Sequence, residues 1–74
     1  MQELLLTIAK GLVENPDEVT VTVDANNASV YHLHVAESDM GRVIGKQGRI
    51  AKAIRVVMRA AATRSNEKIS VEID

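Results

Sequence analysis

Two glycines three residues apart, Gly45 and Gly48, are the strongest constraint on how this 74-residue chain folds. Around them the sequence has the spacing of a long amphipathic helix. Ile50, Ile54, Val57, Met58 and Ala61 fall on one face, with Lys52, Arg55 and Arg59 gathered away from it. Glycine loosens a helix interior and permits backbone angles that other residues resist. The pair therefore predicts two helices joined by a very short connection. One starts at Glu37-Ser38-Asp39 and runs to about Ile44; the other runs from about Gly48 to Ser65. Ser38 or Asp39 is expected to cap the first of them, and the acids there suit its positive end.

The remaining segments read by the same periodicities. Residues 2–13 form a helix through Leu4, Leu5, Ile8 and Leu12, ended by Asn15-Pro16 because the residue before proline avoids the α region. Leu6 and Val13 widen its apolar arc. Such an arc suits either a helix deep in a groove of its own domain or a surface for a partner. Val19, Val21 and Val23 alternate with Thr20, Thr22 and Asp24, which is a half-buried strand. After a turn at Asp24–Ser29, Val30 to Ala36 is a second strand, with Tyr31, Leu33 and Val35 inward and His32 and His34 outward. Lys68 to Asp74 is a third, with Ile69, Val71 and Ile73 inward. The expected class is α+β in the order α-β-β-α-α-β. It is one domain over residues 1–74: a three-stranded mixed sheet, helices on one face, and the last strand parallel to the second by a crossover.

Composition narrows the function. The chain has no cysteine, which excludes disulfides and thiolate metal sites. Its apolar runs are too short to span a bilayer, and its start lacks the pattern of a signal peptide, so a cytoplasmic location without membrane contact is expected. Net charge is −1, but residues 1–40 carry −6 and residues 41–74 carry +5. Between 41 and 64 there are seven bases and no acid. Such asymmetry suggests one side that faces a polyanion. The glycine loop lies at the head of this basic stretch. Bare main chain, the start of a helix, Lys46 and Arg49 together suit a phosphodiester.

The run Arg42-Val43-Ile44-Gly45-Lys46-Gln47-Gly48-Arg49-Ile50, continued by Ala51-Lys52-Ala53-Ile54-Arg55, resembles the I-G-x-x-G signature of KH domains. The element order resembles the type II KH arrangement from end to end, as in small stand-alone KH proteins of bacteria. The resemblance implies a single-stranded RNA-binding protein of low sequence specificity, an RNA chaperone or post-transcriptional regulator, with no enzymatic activity and no cofactor. In KH domains the G-x-x-G loop clamps the backbone of about four nucleotides. Carried over, Gly45 and Gly48 allow close approach and Lys46 and Gln47 point at phosphates. Val43, Ile44 and Ile50 offer an apolar floor for bases, with Arg42, Arg49 and Lys52 beside them. It further implies a homodimer or pairing with a second KH protein.

Tyr31 is the only aromatic residue, so stacking platforms worth about 1–3 kcal/mol per base are not available. Bases must meet aliphatic and backbone groups, and one copy is expected to bind weakly. His32 and His34 share a strand face with Glu72, which are zinc-donor types. Two histidines on an exposed sheet face read better as surface residues. No nucleophile–base arrangement and no P-loop ending is present. The rival expectation is a protein–protein adaptor acting through the first helix.

Overall fold

The computed structural model describes residues 1–73, with the side chain of Lys46 excepted; Asp74 lies outside the described residues. Helix α1 spans Gln2–Leu12 and buries only Leu5 and Ala9, one turn apart. Leu6, Ile8 and Val13 pack against the edge of the core. Leu4 and Leu12 remain 39% and 40% exposed, so the wide apolar arc is only partly covered by its own domain. After Leu12 the chain is extended at Val13 and makes a single-turn 3-10 helix at Pro16–Glu18, with proline at its first position. The spacing of apolar residues does not predict this turn, which is too short to have a period.

Strand β1 (Thr20–Val23) pairs antiparallel with β2 (Val30–His34), Thr20 opposite His34 and Thr22 opposite His32. The hairpin turn is built as its composition predicts. Asp24 Oδ2 accepts from the Asn26 N–H at 2.9 Å, and Asn27 Oδ1 accepts from the Ser29 N–H at 2.9 Å. Strand β3 (Ser70–Ile73) lies parallel to β2 on its other side, with His32 opposite Glu72. The sheet order β1-β2-β3 is the expected mixed sheet. Val23 alternates in step with Val19 and Val21, yet at the end of β1 beside the turn it is 40% exposed.

Helix α2 extends over Glu37–Arg64, 28 residues. A straight helix of that length would measure about 40 Å at 1.5 Å per residue. The longest dimension of the whole molecule is 33 Å. The bend is at Gln47 and Gly48, whose φ values of 64° and 68° are left-handed. Two successive residues of that hand cannot continue a right-handed helix. α2 is thus two abutting arms, and with α1 these make the α-β-β-α-α-β order of a KH domain. The second arm closes at Asn66, where φ is 59°. There the Glu67 N–H donates to Ala62 O at 2.7 Å and the Asn66 N–H to Thr63 O at 3.1 Å, a Schellman closure with Asn in the glycine position.

The core joins Leu5 and Ala9 of α1 to Leu33 and Val71 of the sheet, to Val35 just past the end of β2, and to Val43, Ala51, Ile54 and Met58 of α2. On the second arm the buried stripe is Ala51, Ile54, Met58 and Ala62, whereas Val57, placed inward from sequence, is 46% exposed. The small alanines let the arm lie close on the sheet. Hydrophobicity alone ranks valine above alanine and so misplaces the stripe.

Among the described residues one carboxylate is buried: Asp39, 2% exposed. It does not cap α2, as the sequence reading expected of Ser38 or Asp39; the N-cap is Ala36, whose carbonyl accepts from Asp39 N–H at 2.8 Å. The Asp39 carboxylate instead reaches across to the segment after α1. It accepts from the Glu14 N–H at 3.1 Å, the Asn15 N–H at 3.0 Å and Asn15 Nδ2 at 3.1 Å. Desolvation by burial pushes the Asp39 carboxyl upward, but these hydrogen bonds and the nearby Arg42 charge outweigh it and hold the group below the usual aspartate range. Asp24 is also held low, chiefly by its hydrogen bond with His32 and by the Asn26 N–H. A carboxyl depressed in the folded state contributes stability above its unfolded value and loses it as pH falls through the folded value. Acid titration followed by circular dichroism should therefore show stability falling below the ordinary aspartate range, and Asp39→Asn should flatten that fall.

Candidate nucleic-acid interface

The first arm of α2 presents Gly41 and Gly45 one turn apart. Together with Arg42, Arg49 and Ile50 they line a groove of about 480 Å³. Ile44, beside it, is 52% exposed, a large aliphatic side chain left in water next to the loop. Ile50 is half-buried, and Gln47, Arg49 and Lys52 are exposed. Of the residues read as site residues, the structure thus brings Arg42, Gly45, Arg49 and Ile50 into one groove, with Ile44, Gln47 and Gly48 next to them in sequence. Val43 is 0% exposed and belongs to the core, so it supports the groove from below and offers no surface to a base. The Lys46 side chain lies outside what the structure describes.

The two loop glycines differ in what holds them there. Gly48 is left-handed at φ 68°, a conformation that an L side chain strains. Gly45 is not, and a Cβ added to it would meet nothing within 4 Å. Gly41 has the same open surroundings. Gly41 is not among the residues that the sequence marks as a site; the signal that finds it is its i, i+4 spacing to Gly45, which puts both glycines on one face.

A second, smaller cleft of about 230 Å³ lies between the second arm and β3, lined by Arg55, Met58, Arg59, Ile69, Ser70, Val71 and Glu72. Arg55 Nε donates to Val71 O at 3.3 Å, satisfying a carbonyl of the edge strand. Arg55 and Arg59 were read as a basic helix face; the structure shows that face set against the sheet edge. On the outer sheet face His32 Nε2 pairs with Asp24 Oδ1 at 2.8 Å. Among the described residues no group of three side chains could hold a metal ion, and no helix is long and apolar enough to cross a membrane.

Comparison with known proteins agrees with this geometry. The family described as KhpA/KhpB, KH domain, matches residues 2–73. A Clostridium acetobutylicum protein named RNA-binding protein KhpA is 57% identical over 74 residues, covering 99% of each chain. The Listeria monocytogenes protein of the same name is 50% identical, over 99% of this chain and 97% of its own. That of Chlamydia trachomatis is 46% identical, over 99% and 95%. No solved structure matches. With a bent helix at Gly45–Gly48 over a three-stranded mixed sheet and these full-length likenesses, the chain belongs to the KhpA/KhpB family of KH-domain proteins.

Proposed function

We propose that this protein binds single-stranded RNA with little sequence preference, gripping the RNA backbone at Gly45-Lys46-Gln47-Gly48, and serves in the cytoplasm as an RNA chaperone or post-transcriptional regulator. Gly45 carries the reading. A glycine inside a helical arm costs about 0.5–1 kcal/mol relative to alanine. Neither its backbone angle nor its neighbours within the protein require it. Close approach of something outside the chain is a sufficient reason, and a phosphodiester fits the flanking Arg42 and Arg49. An arm that starts afresh after Gly48 also has first-turn N–H groups without partners of its own arm, which favour an anion. Exposed Ile44 and half-buried Ile50 would contact bases through aliphatic surface. The curated relatives are named RNA-binding proteins, which supports the same ligand.

The reading includes a pair, either a second copy of this chain or a KhpB-type KH protein. Support comes from one family description that spans KhpA and KhpB, and from Val56 and Val57, 63% and 46% exposed on the second arm. Two linked grooves raise affinity through effective concentration where one grips weakly.

Gly45→Ala and Gly48→Ala test the clamp together. Gly45→Ala should raise folding stability by about 0.5–1 kcal/mol, since alanine suits a helix and finds open space. It should also weaken binding of a labelled oligouridine roughly tenfold, or about 1.4 kcal/mol. Gly48→Ala should lower stability by about 1–2 kcal/mol, because alanine resists a left-handed backbone. Urea unfolding and fluorescence anisotropy read both quantities. A Gly45→Ala protein that is more stable and binds RNA as well as the parent would remove the clamp. RNA recovered from cells crosslinked at residues 45–49 separates this reading from an adaptor that binds only protein.

A further inference from the structure

Arg42, in the groove, does not face it unaccompanied. Its Nη2 donates to Glu14 Oε1, a carboxylate delivered from the connection between α1 and β1. The basic stretch 41–64 contains no acid, so this negative charge at the groove is imported from another part of the chain. Its position is built. The Glu14 N–H is bonded to Asp39 Oδ1, and the next residue, Asn15, is held by Asp39 Oδ2 and by Ser38 Oγ at 3.0 Å. Asp39 is buried on the same arm, three residues before Arg42, where helical spacing brings the two side by side. The root of Glu14 is therefore fixed to the arm that carries Arg42, while its side chain is 68% exposed and that of Arg42 48% exposed.

We propose that Glu14 is an internal competitor for the RNA phosphate at Arg42, and so sets the affinity and salt dependence of the groove; this rests on the RNA-binding reading above. The carboxylate occupies the guanidinium in the free protein. An incoming phosphate offers the same guanidinium a charge-assisted, two-pronged contact and displaces Glu14, which swings into water. An exposed ion pair of this kind is weak, so displacement is readily reversible and corresponds to about two- to fivefold in affinity. The released carboxylate then attracts a cation from solution. That uptake offsets part of the counterion release that accompanies phosphate binding. Glu14 thus loosens the grip on every sequence alike, as suits a protein that must let go of RNA.

The test uses the full chain and a fluorescein-labelled oligouridine, titrated by anisotropy across a potassium chloride series. Glu14→Gln should bind about two- to fivefold more tightly than the parent. The slope of log affinity against log salt should steepen by about 0.7, the value for one further phosphate on a single strand. Because the Asp39 tether uses backbone N–H groups of Glu14 and Asn15, the local fold should persist, and the melting temperature should fall only by the few degrees that loss of one weak exposed ion pair implies. Arg42→Gln should bind more weakly, and adding Glu14→Gln to it should produce no gain. Glu18→Gln, which removes the same charge from the nearby 3-10 turn, should give a smaller gain than Glu14→Gln. Unchanged affinity in Glu14→Gln, or an equal gain in the Arg42→Gln background, would overturn the inference while leaving RNA binding intact. Failure of the parent protein itself to bind the oligouridine would overturn the RNA-binding reading and this inference with it.

Discussion

Replacing Lys46 and Gln47 together by aspartate is expected to abolish RNA binding and leave the fold in place. The exchange takes one positive charge away and puts two negative charges between Gly45 and Gly48, where the proposed phosphate lies. A hydrogen bond to a charged group contributes about 1.5–3 kcal/mol. Losing one and adding repulsion amounts to about a hundredfold or more in affinity, at about 1.4 kcal/mol per tenfold. The fold should tolerate the change. Gln47 is exposed and left-handed at φ 64°, and Asp is among the non-glycine residues most often found there. Surface substitutions away from special features usually stay within about 0.5 kcal/mol. Anisotropy and urea unfolding on one preparation give both numbers. Parent-like affinity in this variant would count against the loop as the site.

The largest effect on stability is expected at Leu33. It is 0% exposed in the central strand, with Val21 opposite on one side and Ile73 on the other. Removing such a buried leucine side chain leaves a cavity and costs about 2–5 kcal/mol. A domain of this size has a stability of only about 4–11 kcal/mol, from roughly 0.05–0.15 kcal/mol per residue. Leu33→Ala should therefore lose a large part of the total and unfold at much lower urea. Val56→Ser, on a residue 63% exposed, should move the midpoint little. Equal effects from the two substitutions would mean that Leu33 is not at the centre of the core.

The elements were legible because their causes are local. Alternating valines and threonines announced β1, the Asx-rich run 24–29 its turn, and Gly45 with Gly48 the bend in α2. Errors came where a choice depended on a neighbour far along the chain. Val57 looked like core, but the sheet accepts the flatter stripe of Ala51 and Ala62. Asp39 looked like a cap, but its carboxylate serves N–H groups 24 and 25 residues earlier. Val43 looked like groove floor, but it lies beneath the floor.

By itself, then, the sequence determined the order of helices and strands, the antiparallel hairpin with its parallel third strand, and the place of the glycine bend within a basic stretch. Those follow from side-chain periodicity and from backbone sterics, which act over a few residues. Only the tertiary structure decided that Gly41 joins Gly45 in one groove, that Arg55 meets the edge of β3, and that Glu14 holds Arg42. Those depend on which surfaces come within a few ångströms after folding, and hydrogen bonds and ion pairs act only at that range.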